Sequence, residues 1–178
     1  PKITTYEKDC VSICEKLIHR HPHVYGDLKV SNEDEVKKKW EQLKLKEGRA
    51  SVLEGVPRSL PALVKASRIQ EKVAGVGFDW ENSSQVWEKV QEELLEFKLE
   101  LDTGDKVSMD KEFGDVLFSL INYARSVDIN PENALELTNK KFIKRFQFLE
   151  CKAKEMQKSL HDMTLDEMNV YWEKAKGI

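Results

Sequence analysis

Two neighbouring stretches of the sequence set acidic residues directly beside apolar ones. QEELLEFKLEL (91–101) carries four glutamates, and KEFGDVLF (111–118) carries Glu112 and Asp115 among Phe113, Val116 and Leu117. An amphipathic helix normally keeps its carboxylates on the solvent side. Carboxylates gathered at a partly buried rim repel one another unless a cation lies among them. Oxygen ligands without histidine or cysteine are typical of Mg²⁺ or Mn²⁺ sites and not of zinc sites.

Helical geometry indicates how these acids would converge. At about 100° per residue, the first stretch has one apolar arc, formed by Trp87, Val90, Leu94, Phe97 and Leu101. Glu93, Glu96 and Glu100 follow one edge of this arc, with Lys89 in the same band. Glu112, Asp115 and Ser119 line one edge of the arc on the next helix. If the arcs pack together, the acidic edges meet and form a metal site; the alternative is a set of solvated acids paired with surface lysines.

The remaining pattern is helical throughout and predicts an all-α protein. Apolar spacing and capping residues predict helices over about 5–20, 61–74, 83–102, 108–127 and 131–159, a charged helix after Ser31 or Asn32, and a short C-terminal helix. Short connections between the four helices from residue 61 favour an antiparallel four-helix bundle. We expect Phe78 and Trp80 of the turn GVGFDW (75–80) to pack inward.

A boundary between two domains is predicted near residue 60. GRASVLEGVPRSLP (48–61) has the glycine, proline and serine content of a linker. It separates a helical segment, 1–60, from a bundle domain, 61–178. Lys16 and Arg20 in the first segment have the same spacing as Lys141 and Arg145 in the second, which is a weak sign of an internal repeat.

Composition excludes several classes of function. A net charge of −3 over 178 residues argues against nucleic acid as the main partner. No apolar run is long enough to span a membrane. Three cysteines imply no disulfide framework and are typical of a cytoplasmic protein. A di-iron carboxylate bundle would need Glu-x-x-His, which the sequence does not contain.

The acidic motifs resemble those of a known family. EELLE (92–96) and EFGD (112–115) are similar to the Glu-Glu-x-x-Glu and Glu-x-x-Asp motifs of the all-α nucleoside triphosphate pyrophosphohydrolases. Together with NKKFIKRF (139–146), they resemble the C-terminal domain of MazG proteins from about Pro61 onward. CEKLIHRHPHVYGD (14–27) is similar to the end of the first MazG repeat, whose acidic motifs are missing here. The resemblance therefore makes 1–60 a remnant of that repeat plus a linker, and 61–178 the catalytic domain.

This resemblance implies Mg²⁺-dependent hydrolysis of nucleoside triphosphates to the monophosphate and pyrophosphate, with Mn²⁺ as a possible substitute. It implies broad base specificity and a role in nucleotide-pool cleansing or signalling. By motif, the metal ligands would be Glu93, Glu96, Glu112 and Asp115, and the general base would be Glu92 or Glu93. The substrate-binding residues would be Lys89, Lys141, Arg145, Trp172 and Lys176.

Two other functions fit the same residues. One is a catalytically weak, regulatory nucleotide-binding module, and the other is a dUTPase-like enzyme restricted to uracil. For each function, a homodimer is expected because short bundle helices leave apolar positions such as Ile121 and Phe148 uncovered. The family resemblance agrees with a dimer.

Overall fold

In the computed structural model, the chain is described over residues 5–20, 22–26 and 51–177. All regular elements in these ranges are helical, which confirms the all-α class. They are α1 (Thr5–Arg20), α2 (Pro22–Tyr25), α3 (Ala62–Ala74), α4 (Ser83–Thr103), α5 (Lys106–Ser126), α6 (Pro131–Glu155), a 3₁₀ turn (Leu160–Asp162) and α7 (Leu165–Ala175). The charged helix predicted after Ser31 or Asn32 lies outside the described residues.

The chain divides into two compact units between Val127 and Asp128. The first unit contains α3, α4 and α5, and the second contains α6 and α7. The predicted domain boundary near residue 60 and the four-helix arrangement that would span both units stay predictions. Within the described part of the chain, no helix has the length and apolar character needed to cross a membrane.

The connection between α4 and α5 is short and forces the two helices to run antiparallel. Asn82 caps the start of α4 by accepting a hydrogen bond from the Gln85 backbone N–H. Gly104 ends this helix in the left-handed conformation, with φ of 73°. The Asp105 side chain follows at once and caps α5 through the backbone N–H of Val107. Helix α5 therefore begins at Lys106, two residues before the predicted start.

Two aromatic pairs fix the register between α4 and α5. The Trp87 and Tyr123 ring centroids lie 4.9 Å apart, and those of Phe97 and Phe113 lie 5.4 Å apart. Advancing ten residues along α4 thus corresponds to going back ten along α5, as in an antiparallel pair. Both pairs are tilted, which is a favourable geometry for aromatic rings. The acidic motifs therefore lie side by side near the Phe97–Phe113 contact.

The interior of the first unit runs along a slightly different face of α4 from the predicted one. Val86 and Val90 are buried, whereas Trp87 and Leu94 of the predicted arc are 43% and 45% exposed. On α5 the buried residues are Val116, Ser119 and Ile121.

Ile121 is therefore not the uncovered apolar position that the sequence predicted. Its part of α5 packs against α3, where Gln70 Nε2 donates a 2.8 Å hydrogen bond to the Phe118 carbonyl oxygen. Phe148, the other predicted position, is half-buried. An additional helix packed on α5 covers a face that the α4–α5 pair alone would leave open.

The prediction that Phe78 and Trp80 pack inward is wrong. Phe78 is 80% exposed and Trp80 is 48% exposed. A polar contact holds their turn: both terminal nitrogens of Arg125 donate to the Asp79 carboxylate, at 2.8 and 2.5 Å. The Trp80 backbone N–H donates to the same carboxylate. Because this bidentate pair fixes the turn to the end of α5, the two aromatic side chains are not needed as anchors.

The second unit is a helical pair closed by a small core. Leu149 and Ala153 of α6 are buried together with Met163, and Tyr171 of α7 packs against them. Asn130 caps α6, with Pro131 in its first turn as predicted. Helix α6 ends at Glu155, four residues before the predicted end, and Gln157 follows with a positive φ of 54°. A capping box between Thr164 and Glu167 begins α7.

Candidate metal centre

Three carboxylates from α4 and α5 come together in the first unit. One oxygen from each of Glu93, Glu96 and Glu112 lies within 4.8 Å of the other two. Two oxygens bound to one Mg²⁺ ion lie at most about 4.2 Å apart, since each Mg–O distance is about 2.1 Å. Shifts of less than about 1 Å would therefore bring these oxygens into one coordination shell. With oxygen donors alone, the group fits a hard divalent cation.

Glu93 occupies a core position of α4. It continues the buried line of Val86 and Val90 and is itself only 8% exposed. A buried carboxylate is unfavourable unless a cation or hydrogen-bond donors compensate it. Glu96, one turn later, is exposed, and Glu112 on α5 is half-buried. The group therefore opens toward solvent on one side, which gives an ion and a ligand a route of entry.

The electrostatics of Glu112 reflect this crowding of charge. Partial burial raises the pKa of Glu112 above its ordinary value, and the negative charges of Glu96, Asp115 and Glu93 raise it further, in that order. Asp115 is exposed and does not belong to the group of three, although it is close enough to affect Glu112. A metal ion would remove this repulsion by neutralising the carboxylates.

Lys89 provides one positive charge beside the acids. Its Nζ lies 2.9 Å from an oxygen of Glu93 and 3.0 Å from an oxygen of Glu92. The hydrogen bond that Lys89 donates to Glu93, and after it the one that it donates to Glu92, raises the pKa of Lys89 above its ordinary value. The Glu92 side chain is 54% exposed and lies outside the group of three carboxylates. Glu92 and Glu93 therefore share one cation but differ sharply in burial.

The second unit contains the other predicted substrate-binding residues. The Arg145 guanidinium lies over the Trp172 ring, 5.9 Å from its centroid. Trp172 also contacts Phe142, with ring centroids 4.9 Å apart. Lys141 is exposed, and Lys176 forms an ion pair with Glu173 at 2.5 Å. Sequence reasoning did not select Phe142, although its position directly after Lys141 in KKFIKRF was a usable signal.

The structure thus brings the predicted residues together in two separate groups. Lys89, Glu92, Glu93, Glu96 and Glu112 are neighbours in the first unit, and Asp115 lies at their edge. Arg145 and Trp172 are neighbours in the second unit. The role assigned to each residue stays a prediction.

Comparisons with known proteins agree with this site. Residues 81–147 match the family described as the MazG nucleotide pyrophosphohydrolase domain. The chain is 38% identical over 176 residues to the nucleoside triphosphate pyrophosphohydrolase/pyrophosphatase MazG of Thermotoga maritima, covering 97% of this chain and 66% of that protein. It is 38% identical over 173 residues to the nucleoside triphosphate pyrophosphohydrolase of Escherichia coli K12, covering 94% of this chain and 66% of that protein.

A further relative is the uncharacterized protein YabN of Bacillus subtilis, which is 47% identical over 168 residues, covering 92% of this chain and 34% of that protein. The chain thus spans slightly less than two thirds of the Thermotoga and Escherichia relatives and about one third of YabN. Carboxylates that face one another from paired helices are a recurring way of building a metal site in helical proteins. From the matched domain and the extent of the identity, the chain belongs to the MazG nucleotide pyrophosphohydrolase family.

The raised pKa of Glu112 predicts how a Glu112→Gln variant changes stability with pH. Glu112 binds a proton more tightly in the folded protein than in the unfolded chain, so protonation of Glu112 stabilises the fold. This stabilisation is fully present below the unfolded pKa of about 4.5 and is lost as the pH rises through the folded pKa. At pH 7 with EDTA, Glu112→Gln should therefore unfold at a higher temperature than the wild type. The difference in unfolding temperature should vanish below about pH 4.5. Thermal unfolding scans of the variant and the wild type at both pH values measure it.

A matched control is Glu88→Gln, which removes an exposed carboxylate from α4 away from the group. This variant should melt with the wild type at both pH values. A Glu112→Gln protein that is less stable than the wild type at pH 7 in EDTA would contradict the account.

Proposed function

We propose that the protein hydrolyses nucleoside triphosphates to the monophosphate and pyrophosphate in a Mg²⁺-dependent reaction with broad base specificity. The observation that carries this proposal is the group formed by Glu93, Glu96 and Glu112, whose oxygens lie within 4.8 Å of one another and need only small shifts to share one divalent ion. The Thermotoga and Escherichia relatives are named nucleoside triphosphate pyrophosphohydrolases, which supports the substrate and the products of this reaction. A role in cleansing the nucleotide pool or in signalling is part of the proposal.

The proposed metal ligands are Glu93, Glu96, Glu112 and Asp115. Asp115 is included because it belongs to the Glu-x-x-Asp motif and because its charge acts on Glu112. When bound, the ion supplies Lewis acidity toward phosphate oxygens and makes water more acidic. The carboxylates hold it at the solvent-open side of the α4–α5 pair, and Mn²⁺ would fit the same oxygen donors.

We assign the general base to Glu92. Glu93 is committed to the carboxylate group, whereas Glu92 lies beside that group and keeps its oxygens accessible to solvent. In this role, the Glu92 carboxylate accepts a proton from the water that attacks the α-phosphorus. The leaving pyrophosphate departs with its negative charge balanced by cationic side chains.

Phosphate and base contacts are assigned to the second unit. Lys141 offers a point charge and Arg145 a planar fork, and the two lie one helical turn apart on α6. The Trp172 indole, which contacts Phe142 and Arg145, offers an aromatic surface on which any nucleobase could stack. Lys176 adds a further positive charge near the end of α7. Stacking without base-specific hydrogen bonds accounts for broad specificity.

Two alternatives use the same residues. A regulatory module would bind the nucleotide with little turnover, and a dUTPase-like enzyme would accept dUTP alone. The presence of all four motif acids in the sequence favours catalysis over pure binding. A comparison of dUTP with the other triphosphates separates the two enzymes.

A homodimer is part of the proposal. Trp87, Leu94 and Leu101 of α4, with Phe113 and Leu117 of α5, are each 43–48% exposed. Five large apolar side chains on one helix pair form a patch of the kind that a second subunit covers. The three cysteines are free and exposed, which supports a reducing location such as the cytoplasm.

The activity predicts loss of pyrophosphate release when a ligand carboxylate is removed. With Mg²⁺ and the eight common ribo- and deoxyribonucleoside triphosphates, the wild type should release pyrophosphate, and Glu93→Gln should lower kcat at least about 100-fold. The reason is that the most buried oxygen ligand is lost. Glu88→Gln should keep full activity, and an equally active Glu93→Gln enzyme would exclude the proposed centre.

Arg145→Met should raise KM about tenfold or more, because a charge-assisted contact to phosphate is lost. Lys140→Met is the control, since Lys140 is exposed on the same helix and pairs with Glu136. Its KM should match that of the wild type. Equal effects of the two substitutions would show that Arg145 acts only through net charge.

Light scattering should give the mass of two chains of 20.7 kDa each. Leu94→Asp should shift the protein toward the monomer, since it places a charge within the exposed apolar patch. Lys98→Asp, also on α4, should leave the dimer intact. A wild-type protein at the mass of one chain would remove the dimer from the proposal.

A further inference from the structure

Lys89 has contacts that a simple phosphate-binding lysine would not need. Its ammonium lies on Glu93, the most buried member of the carboxylate group, and on Glu92, the assigned base. Its side chain is 34% exposed, so it lies between solvent and the acids. Without a metal ion, it is the cation that these two carboxylates contact most closely among the described residues.

An ammonium and a divalent ion compete for the same carboxylate. When Glu93 coordinates a metal ion, its charge is largely neutralised and its attraction for Lys89 falls. An ion on Glu93 would also repel the ammonium directly, because both are positive and the Lys89 Nζ lies only 2.9 Å from a Glu93 oxygen. The flexible four-carbon stem of lysine allows the ammonium to move away without any change in the helix.

We propose that Lys89 is an internal cation that occupies Glu93 until a divalent metal ion binds, and is then released to contact the triphosphate. This inference rests on the proposed function for the identity of the substrate, but its first half concerns the metal alone. It makes binding ordered, because the metal ion must displace Lys89 before the ammonium can meet a phosphate. Lys89 is thus a positioning residue that couples the two binding steps.

The competition predicts opposite effects of one substitution on two ligands. Titration calorimetry with Mn²⁺ alone should show about three- to tenfold tighter binding to Lys89→Met than to the wild type, because the competing charge is gone. At saturating Mn²⁺, the same variant should bind α,β-methylene-ATP at least about tenfold more weakly. Lys98→Met removes an exposed lysine from the same helix and should change neither affinity. Unchanged or weaker Mn²⁺ binding to Lys89→Met would overturn the proposal.

A second measurement uses the unmodified protein and so does not depend on how a variant folds. Brief acetylation followed by mass spectrometry should show Lys89 protected without metal, several-fold more reactive with Mg²⁺, and protected again with Mg²⁺ and α,β-methylene-ATP. Lys98 should react equally in all three states. Reactivity of Lys89 that does not change on adding Mg²⁺ would overturn the proposal.

These results separate failure of this inference from failure of the proposed function. If Mg²⁺ exposes Lys89 but no triphosphate is hydrolysed, the exchange of cations holds and the activity does not. If pyrophosphate is released but the reactivity of Lys89 does not change with Mg²⁺, the activity holds and the exchange of cations does not.

Discussion

Repulsion among Glu93, Glu96 and Glu112 is the interaction on which the first unit depends. Their oxygens lie within 4.8 Å of one another, and one of the three side chains is buried. The cost of this arrangement appears in the raised pKa of Glu112. Such a group is maintained by the surrounding packing and is suited to receive positive charge. Under the proposed function, a bound divalent cation would relieve this repulsion and complete the reactive centre.

The surrounding structure holds the two helices that carry the carboxylates against each other. The two-residue connection of Gly104 and Asp105 reverses the chain. The Trp87–Tyr123 and Phe97–Phe113 pairs fix the register of the two helices. The Asp79–Arg125 pair ties the entry of α4 to the end of α5. Contacts on both sides of the acidic group thus hold it in place. Rigid helices are better supports for such a site than loops.

Much of this arrangement could be predicted from the sequence because it follows from helical periodicity. Residues three and four apart must share a face, so Glu93 and Glu96 were expected on one edge of their helix. Their meeting with Glu112 also required the two helices to pack by their apolar arcs. Helix starts were predictable where a capping residue or a proline stood out, as at Asn82 and Pro131. The start of α5 was placed two residues late, because Asp105 caps it in place of a residue nearer Ser108.

The predictions that the structure contradicts failed for a common reason, which is that they depended on tertiary contacts. The exposure of Phe78 and Trp80 depends on the ion pair between Asp79 and Arg125, which are 46 residues apart. The burial of Ile121 depends on α3, which the comparison of two acidic helices left out. The contact of Lys89 with both Glu92 and Glu93 depends on side-chain rotamers, which a sequence does not specify. Periodicity predicts which residues share a face, but not what covers that face.

The most direct test of the central claim is anomalous diffraction from crystals soaked in Mn²⁺, recorded at the manganese absorption edge. The account predicts a peak within about 2.2 Å of carboxylate oxygens from Glu93, Glu96 and Glu112. A peak bound elsewhere, or none at these residues at millimolar Mn²⁺, would contradict it.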